Sequence, residues 1–299
     1  MSTMRCLLLL TLTCLHAFAG TQIVILGTGT PRADPDRSGP AVAVISNDQA
    51  YLFDAGPGVV RRAAAASRVH GIPALAAPRL SRVFLTHLHS DHTLGLPDII
   101  FSPWVLGRTA PLDLFGPPGT KAMVDHIEAA WQQDIDIRVH GLEHGNETGY
   151  KVTVHEIEPG VVYRDSGLKI TAFPVHHGSW PQAFGYRIDA PDRSIVISGD
   201  CSPSPALLEA AKGCDLLLHE VYSETEPEHG RRNSVDWPEY MRQFHTSTAQ
   251  VAEIANQAKP KLLVVYHQVW GSVEDEALLK EVRRTYLGTV RSAKDLDVY

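Results

Sequence analysis

Cysteine is scarce in this chain, with four among 299 residues, and two of those (Cys6 and Cys14) fall within the first nineteen. Cys201 and Cys214 remain, too few for a disulfide scaffold or a thiolate-built structural zinc site. A chain this long needs no staple, so the pair reads either as one disulfide or as two free buried thiols. Long apolar runs are also missing, except at the N terminus. There MSTMRCLLLLTLTCLHAFAG (1–20) has a basic start, an apolar middle shorter than the ~20 residues of a spanning helix, and a closing Ala17-Phe18-Ala19. Residues 1–19 are therefore expected to be a signal peptide, with 20–299 secreted or periplasmic. An uncleaved membrane anchor is the competing reading. No other stretch is built to span a bilayer. Positive charge is short too: the formal net charge is −7, and losing residues 1–19 removes Arg5 and no acid. An acidic chain repels a polyanion at long range, which disfavours nucleic acid as the main partner. Repeats, low-complexity blocks and linkers are absent, and 44% of residues are hydrophobic, so residues 20–299 read as one large domain.

What is present is mostly strand. TQIVILGTG (21–29) reads as a buried strand ending in a glycine turn, and AVAVIS (41–46) with AYLFDAG (50–56) as a hairpin turning at Asn47-Asp48. The alanine-rich 59–67 predicts a helix, and RVFLTH (82–87) a strand. Further strands are expected at 168–175, 184–189, 194–200, 215–220 and 261–267, and a helix at 246–258 capped by Thr246 or Ser247. Several of these strands are apolar throughout, which requires cover on both faces. The pattern is an α/β fold of two packed sheets with helices outside.

The strand at 82–87 runs into THLHSDH (86–92), three imidazoles and a carboxylate in seven residues. Alternation along a strand would turn His87 and His89 the same way, to grip one ion together. Ser90 is expected to break the strand, placing Asp91 and His92 in the following turn for a second ion, with a helix from Leu94 to Ile100 fixing that turn. Imidazole and carboxylate donors without thiolate suit zinc, manganese or iron. Remaining ligands should come from strand ends: His176 or His177 in FPVHHGSW, Asp200 in VISGDCS, and His267 in VVYHQ.

Together these residues resemble the metallo-β-lactamase superfamily, whose signature is HLHSDH. The resemblance runs from ILGTGTP (25–31) to YHQ (266–268) and implies a four-layer αββα sandwich with the site along one edge of the paired sheets. It implies two divalent metal ions, zinc first with manganese or iron as alternatives. His87, His89 and His177 would hold one, Asp91, His92 and His267 the other, and Asp200 would bridge them. The choice of His177 over His176 follows from its spacing to AFGYRI. LGTGTP, YLFDAGPG, FGYRI, LLHE and HTS are most similar to the ribonuclease Z and arylsulfatase-related branch. By that resemblance Glu220 and His245 handle the leaving group's proton, while Asp54 braces the ligands and His219 points away from Glu220. Two features depart from the branch pattern. The inserted arm with which ribonuclease Z clamps transfer RNA has no counterpart between residues 140 and 170, and an export signal would separate the enzyme from that RNA. Class B β-lactamases commonly carry Cys where Asp200 stands, which argues against antibiotic hydrolysis.

The expectation is a secreted binuclear hydrolase that uses a metal-bridging hydroxide, oriented by Asp91, on small phosphodiesters or aryl sulfates. The alternatives are a ribonuclease Z-like endoribonuclease of the transfer-RNA 3′-processing type, an exported nuclease, and a lactonase or β-lactamase-like hydrolase. A non-catalytic scaffold would be missing ligands, and none is missing. Trp104, Trp180 and Phe184 are candidates for an apolar wall around an aryl group, and Arg231 and Arg232 for anion contacts. Family members are often dimers, which leaves a homodimer open.

Overall fold

A computed structural model describes residues 20–224, 236–269 and 274–299. The export-signal reading of 1–19 and the anion contacts expected of Arg231 and Arg232 lie outside the described residues. In the first sheet β1 (Gln22–Gly27), β2 (Ala41–Ser46) and β3 (Gln49–Phe53) run antiparallel. β4 (Arg82–Phe84), β5 (Leu112–Gly116) and β6 (Val152–Glu156) extend it in parallel. The second sheet repeats the scheme. β7 (Gly160–Arg164), β8 (Lys169–Val175), β9 (Ala183–Asp189) and β10 (Ser194–Ile197) are antiparallel. β11 (Leu216–Tyr222), β12 (Leu262–Val269) and β13 (Val290–Ser292) follow in parallel. The β2–β3 hairpin turns at Asn47 and Asp48, both left-handed with φ of 49° and 58°, the conformation a two-residue I′ loop requires.

Strand alternation distributes the core into three layers. Ile23, Ile25, Val42 and Val44 face Tyr186, Ile188, Ile195 and Leu218 between the sheets. Phe84 is the centre of that layer, stacked on Phe115 at 4.7 Å and on Phe53 at 5.3 Å. Val24 and Leu26 turn outward under α1 (Val59–His70) and α3 (Leu96–Val105). α6 (Pro205–Ala211), α8 (Thr248–Ala258) and α9 (Asp275–Val282) cover the outside of the second sheet. The central strands, such as β2, β11 and β12, are buried on both faces, which is why they are the most apolar, whereas β6 and β7 lie at the outer edges and are largely exposed or half-buried. The architecture is the expected αββα sandwich, completed by the short α2 (Ser90–Thr93), by α4 (Thr120–Ala130) and α5 (Gln132–His140), and by α7 (Trp237–Phe244). Ser247 opens α8 with a capping box: its hydroxyl accepts from the Gln250 amide, and its own amide donates to the Gln250 side chain.

The structure corrects several local expectations. β4 stops at Phe84, so His87 and His89 stand on an extended connection rather than in a strand. The helix after the cluster starts at Leu96, not Leu94, because α2 and Gly95 intervene. Trp104 lies on α3, buried in the core with its indole donating to the Asn146 carbonyl, and Phe184 is buried between the sheets in β9. Both side chains are core residues, 3% and 1% exposed. Cys201 and Cys214 are both buried and free. Among the described residues no helix is long and apolar enough to cross a membrane.

Candidate metal centre

The sandwich brings seven of the sequence-predicted residues to one edge. His87, His89, His177 and Asp200 form one group, and Asp91, His92 and His267 a second; within each, one donor atom per residue lies within 4.8 Å of the others. All but His89 are buried.

The first sheet supplies a contiguous stretch pinned from both sides. The Leu85 amide donates to the Phe115 carbonyl at 2.7 Å and the Phe184 amide to the Thr86 carbonyl at 2.9 Å. The Tyr186 hydroxyl donates to the Leu85 carbonyl at 2.6 Å, so the second sheet holds the connection that carries the histidines. Asp54, in a left-handed conformation with φ of 62°, braces it from below. Its carboxylate accepts from the Thr86 amide at 2.8 Å, from the Thr86 hydroxyl at 3.0 Å and from His92 Nδ1 at 2.8 Å. This is the support expected of Asp54.

The second sheet supplies three scattered residues, each by a different device. His177 lies two residues past the end of β8, and its Nδ1 donates to the Phe244 carbonyl at 2.7 Å. Asp200 follows Gly199, whose φ is +61° and where a Cβ would come within 2.6 Å of the Phe184 carbonyl oxygen. Only glycine fits that turn. His267 occupies a bulge in β12. The register steps from Glu220↔Tyr266 to Val221↔Gln268, and His267 between them has φ of 43°. The extra residue turns its ring into the site.

These outer contacts fix the tautomers. A carbonyl or carboxylate only accepts, so His177 and His92 both donate from Nδ1, and neutral His177 presents a bare Nε2 inward. The Thr86 hydroxyl already donates to Asp54, so it accepts from His87 Nδ1 at 2.9 Å, which leaves His87 Nε2 bare as well. His87 Nε2 and His177 Nε2 stand 2.9 and 3.0 Å from His89 Nδ1. His267 Nε2 stands 3.2 Å from His92 Nε2 and 3.3 Å from an Asp91 oxygen. Donors at ~2.0–2.1 Å from a tetrahedral ion lie ~3.3 Å apart, so the cages need only a few tenths of an ångström to accept one. Asp200 belongs to the first group, yet its Oδ2 also lies 3.4 Å from His92 Nε2 and 3.6 Å from His267 Nε2. Its buried Oδ1 has no hydrogen-bond partner.

The electrostatics ask for cations. Burial pushes the His87 imidazole well below its ordinary value and His177 down to about 3, so both are neutral donors. Burial also opposes charge on His92, but Asp200, Asp54 and Asp91 outweigh it and hold that imidazole well above its ordinary value. The same positive charge is what a divalent ion brings, and the donor set of imidazole and carboxylate fits one.

The remaining predicted residues separate clearly. Glu220 is buried beside the site. Its Oε1 accepts from the Thr246 amide at 2.9 Å and stands 3.5 Å from His245 Nδ1. Burial and then Asp200 push its carboxyl well above the usual range, while burial pushes His245 down to about 4. His176 is exposed, and its carbonyl accepts from the Ser202 amide. His219 is buried with Nδ1 on the Glu220 carbonyl at 2.6 Å. Of the three expected wall aromatics only Trp180 reaches the site, its indole donating to His89 Nε2 at 2.7 Å. Sequence reading missed α7, whose Tyr240 and Phe244 stack at 4.3 Å, with Phe244 edge-on to His177 at 5.1 Å. Helical spacing from Trp237 through Tyr240 to Phe244 was the available signal.

This arrangement is a candidate metal site on a metallo-β-lactamase fold. Residues 49–268 match the family model described as the beta-lactamase superfamily domain. The chain is 36% identical over 256 residues to ribonuclease Z of Mycobacterium bovis, covering 83% of this chain and 86% of that protein. The metallo-β-lactamase-fold protein YhfI of Bacillus subtilis superposes with a TM-score of 0.70 at 18% identity, covering 93% of this chain and 98% of that one. The short form of human tRNase Z does so with 0.66 at 23%, with the same coverage. The chain belongs to the metallo-β-lactamase superfamily of hydrolases, with the ribonuclease Z proteins as its relatives.

Proposed function

We propose that this protein is a two-metal phosphodiesterase whose substrate is RNA. The observation that carries the reading is Asp200, a buried carboxylate within reach of both donor groups and with one oxygen unpartnered. A shared carboxylate suits a paired-ion site for in-line displacement at phosphorus. The ribonuclease Z relatives support RNA and displace the two preferences drawn from the sequence. Net charge disfavoured nucleic acid, but it is a whole-surface average and says little about one cleft. Besides β6 and β7, only the connection 141–151 and the tight turns at 157–159 and 165–168 lie between residues 140 and 170, too little for a long clamping arm, which favours RNA gripped near the scissile bond.

His87, His89 and His177 would hold one ion and Asp91, His92 and His267 the other, with Asp200 shared. Zinc is the first choice. When bound, such ions lower the pKa of water and draw charge from phosphoryl oxygens. Asp91 holds the attacking water in line and takes its proton. His89 would offer Nδ1, which faces His87 and His177; that requires its proton on Nε2, the nitrogen to which the Trp180 indole now donates. Glu220 and His245 pass a proton to the departing oxygen: burial and Asp200 raise the carboxyl's affinity for it, and the imidazole lies 3.5 Å away. The signal-like segment 1–19 is proposed to export the enzyme; cell fractionation and N-terminal sequencing test that.

The deciding experiment measures metal content and cleavage on one sample of residues 20–299. The expected result is two ions per chain, scission of an RNA with a 3′ extension, and hydrolysis of bis-p-nitrophenyl phosphate. Hydrolysis of p-nitrophenyl sulfate with both phosphodiesters untouched would overturn the proposal.

A further inference from the structure

α7 is an anomalous helix. It buries none of its eight residues, yet it ends at the site: Phe244 gives its carbonyl to His177, and His245 follows directly. Its outer face carries Glu239, Arg242 and Gln243, tied together by side-chain hydrogen bonds. Its other face is aromatic. Trp237 packs edge-on to Tyr240 at 5.2 Å, Tyr240 stacks on Phe244 at 4.3 Å with 15° between the planes, and the Tyr240 ring lies 5.9 Å from that of His245. The loop after β8 locks this end of the helix. The Gly178 amide donates to the Gln243 carbonyl, and any Cβ at Gly178 would fall 2.0 Å from the Phe244 ring.

Tyr240 is therefore held rigidly, but only by its ring. Tyr51, Tyr163 and Tyr186 each donate their hydroxyl to a carboxylate or carbonyl. The Tyr240 hydroxyl has no such partner among the described residues. The charges that act on it are those of the site. Burial comes first, and then Asp200, Asp91 and Glu220 push the phenol up to about 12, so it remains a hydrogen-bond donor throughout the range in which an enzyme works. A half-buried, ring-packed donor with no hydrogen-bond partner among the described residues, beside two groups of candidate metal ligands, is complementary to an anion bound there.

We propose that Tyr240 is a substrate-binding residue of this site, its hydroxyl donating to a non-bridging oxygen of the phosphoryl group being cleaved. The inference rests on the phosphodiesterase reading and adds a protein donor to it on the side of the leaving group, next to His245. No bond to Tyr240 forms or breaks. It binds the phosphoryl group before reaction and more tightly as charge builds on that oxygen.

Tyr240→Phe tests this, because the phenyl ring keeps the stack on Phe244 and removes only the hydroxyl. Three quantities are compared with wild type: ions per chain, the dissociation constant of inorganic phosphate for the metal-loaded protein, and kcat/KM on bis-p-nitrophenyl phosphate. A hydrogen bond to a charged group corresponds to roughly 10- to 100-fold. The expected result is unchanged metal content, phosphate binding weakened by about that factor, and kcat/KM lowered at least as much. Unchanged phosphate affinity and kcat/KM in the variant, with an active wild type, overturns the role of Tyr240 and leaves the phosphodiesterase reading standing. A wild type that loads two ions but neither binds phosphate nor cleaves the ester overturns the functional reading, and this inference with it. Loss of metal in Tyr240→Phe would show a structural role and also refute the proposal.

Discussion

The two sheets contribute to the same site in opposite ways. The first presents His87, His89, Asp91 and His92 from one run of six residues, with His87 and His92 anchored through Thr86 and Asp54. The second presents His177, Asp200 and His267 from three strand ends about 90 residues apart in total, each aimed by a separate backbone feature. In the first sheet a local string does the work, supported by one carboxylate. In the second, topology does it, because parallel β10, β11 and β12 bring their C-terminal ends to one edge. The first half should thus fail through its brace and the second through its backbone turns.

The largest effect should come from the residue both groups share. Asp200→Ala removes the carboxylate common to the two cages. Metal content is expected to fall well below two per chain, with phosphodiester cleavage down by on the order of 10³-fold or more. His92→Ala should instead keep one ion. Retention of two ions in Asp200→Ala would remove the shared-ligand argument.

Next comes the backbone of the second half. Gly199→Ala forces a Cβ into a left-handed turn, at ~1–2 kcal/mol, and against the Phe184 carbonyl. Relaxation moves Asp200, and a displacement of ~1 Å at a reacting centre corresponds to ~10²-fold in kcat/KM. Thermal unfolding should show a drop of a few degrees alongside that loss; full activity would mean the turn does not aim Asp200.

The corresponding test in the first half is Asp54→Asn. Asparagine tolerates the left-handed conformation, so the change isolates the carboxylate that accepts from His92 and Thr86. Loss of such outer support weakens metal affinity by ~10- to 100-fold, and competition with a chelator measures it. An affinity equal to wild type would show that the histidines hold their orientation without the brace.

These contrasts explain what was legible in the sequence. THLHSDH was readable because its donors are neighbours in the chain. Asp200 and His267 could be found because each follows an apolar run in the sequence. His177 could not be separated from His176 by residues alone; resemblance chose it, and the structure supplies the reason, since β8 ends at Val175 and only the second histidine turns inward under the Phe244 carbonyl. His176→Ala should accordingly change stability by no more than ~0.5 kcal/mol and leave metal content intact, whereas His177→Ala should lose metal. The wall of aromatics was misread because a tryptophan near a histidine cluster says nothing about depth: Trp104 is core and Phe184 lies between sheets. Tyr240 went unseen because α7 has no apolar stripe long enough to register as a core helix.

The smallest expected effect concerns acid, and it lies in the second sheet away from the site. Asp215, just before β11, accepts from the Ser194 amide at 2.7 Å and hydroxyl at 2.9 Å, and pairs with Lys261 at 2.6 Å. It ties the start of β10 to the start of β11. The Lys261 hydrogen bond, followed by the Ser194 amide, holds its carboxyl down at about 2. A carboxyl depressed in the folded state contributes stability that is complete above its unfolded value of ~3.9 and is lost as pH falls towards the folded value. In chelator-treated protein, wild type should therefore melt above Asp215→Asn at pH 6, with the gap closing between about pH 4 and pH 2. Lys261 is largely exposed, so salt should shrink that gap. A difference in melting temperature that is constant over this range would place the anchoring of β10 in the amide and hydroxyl geometry rather than in the charge.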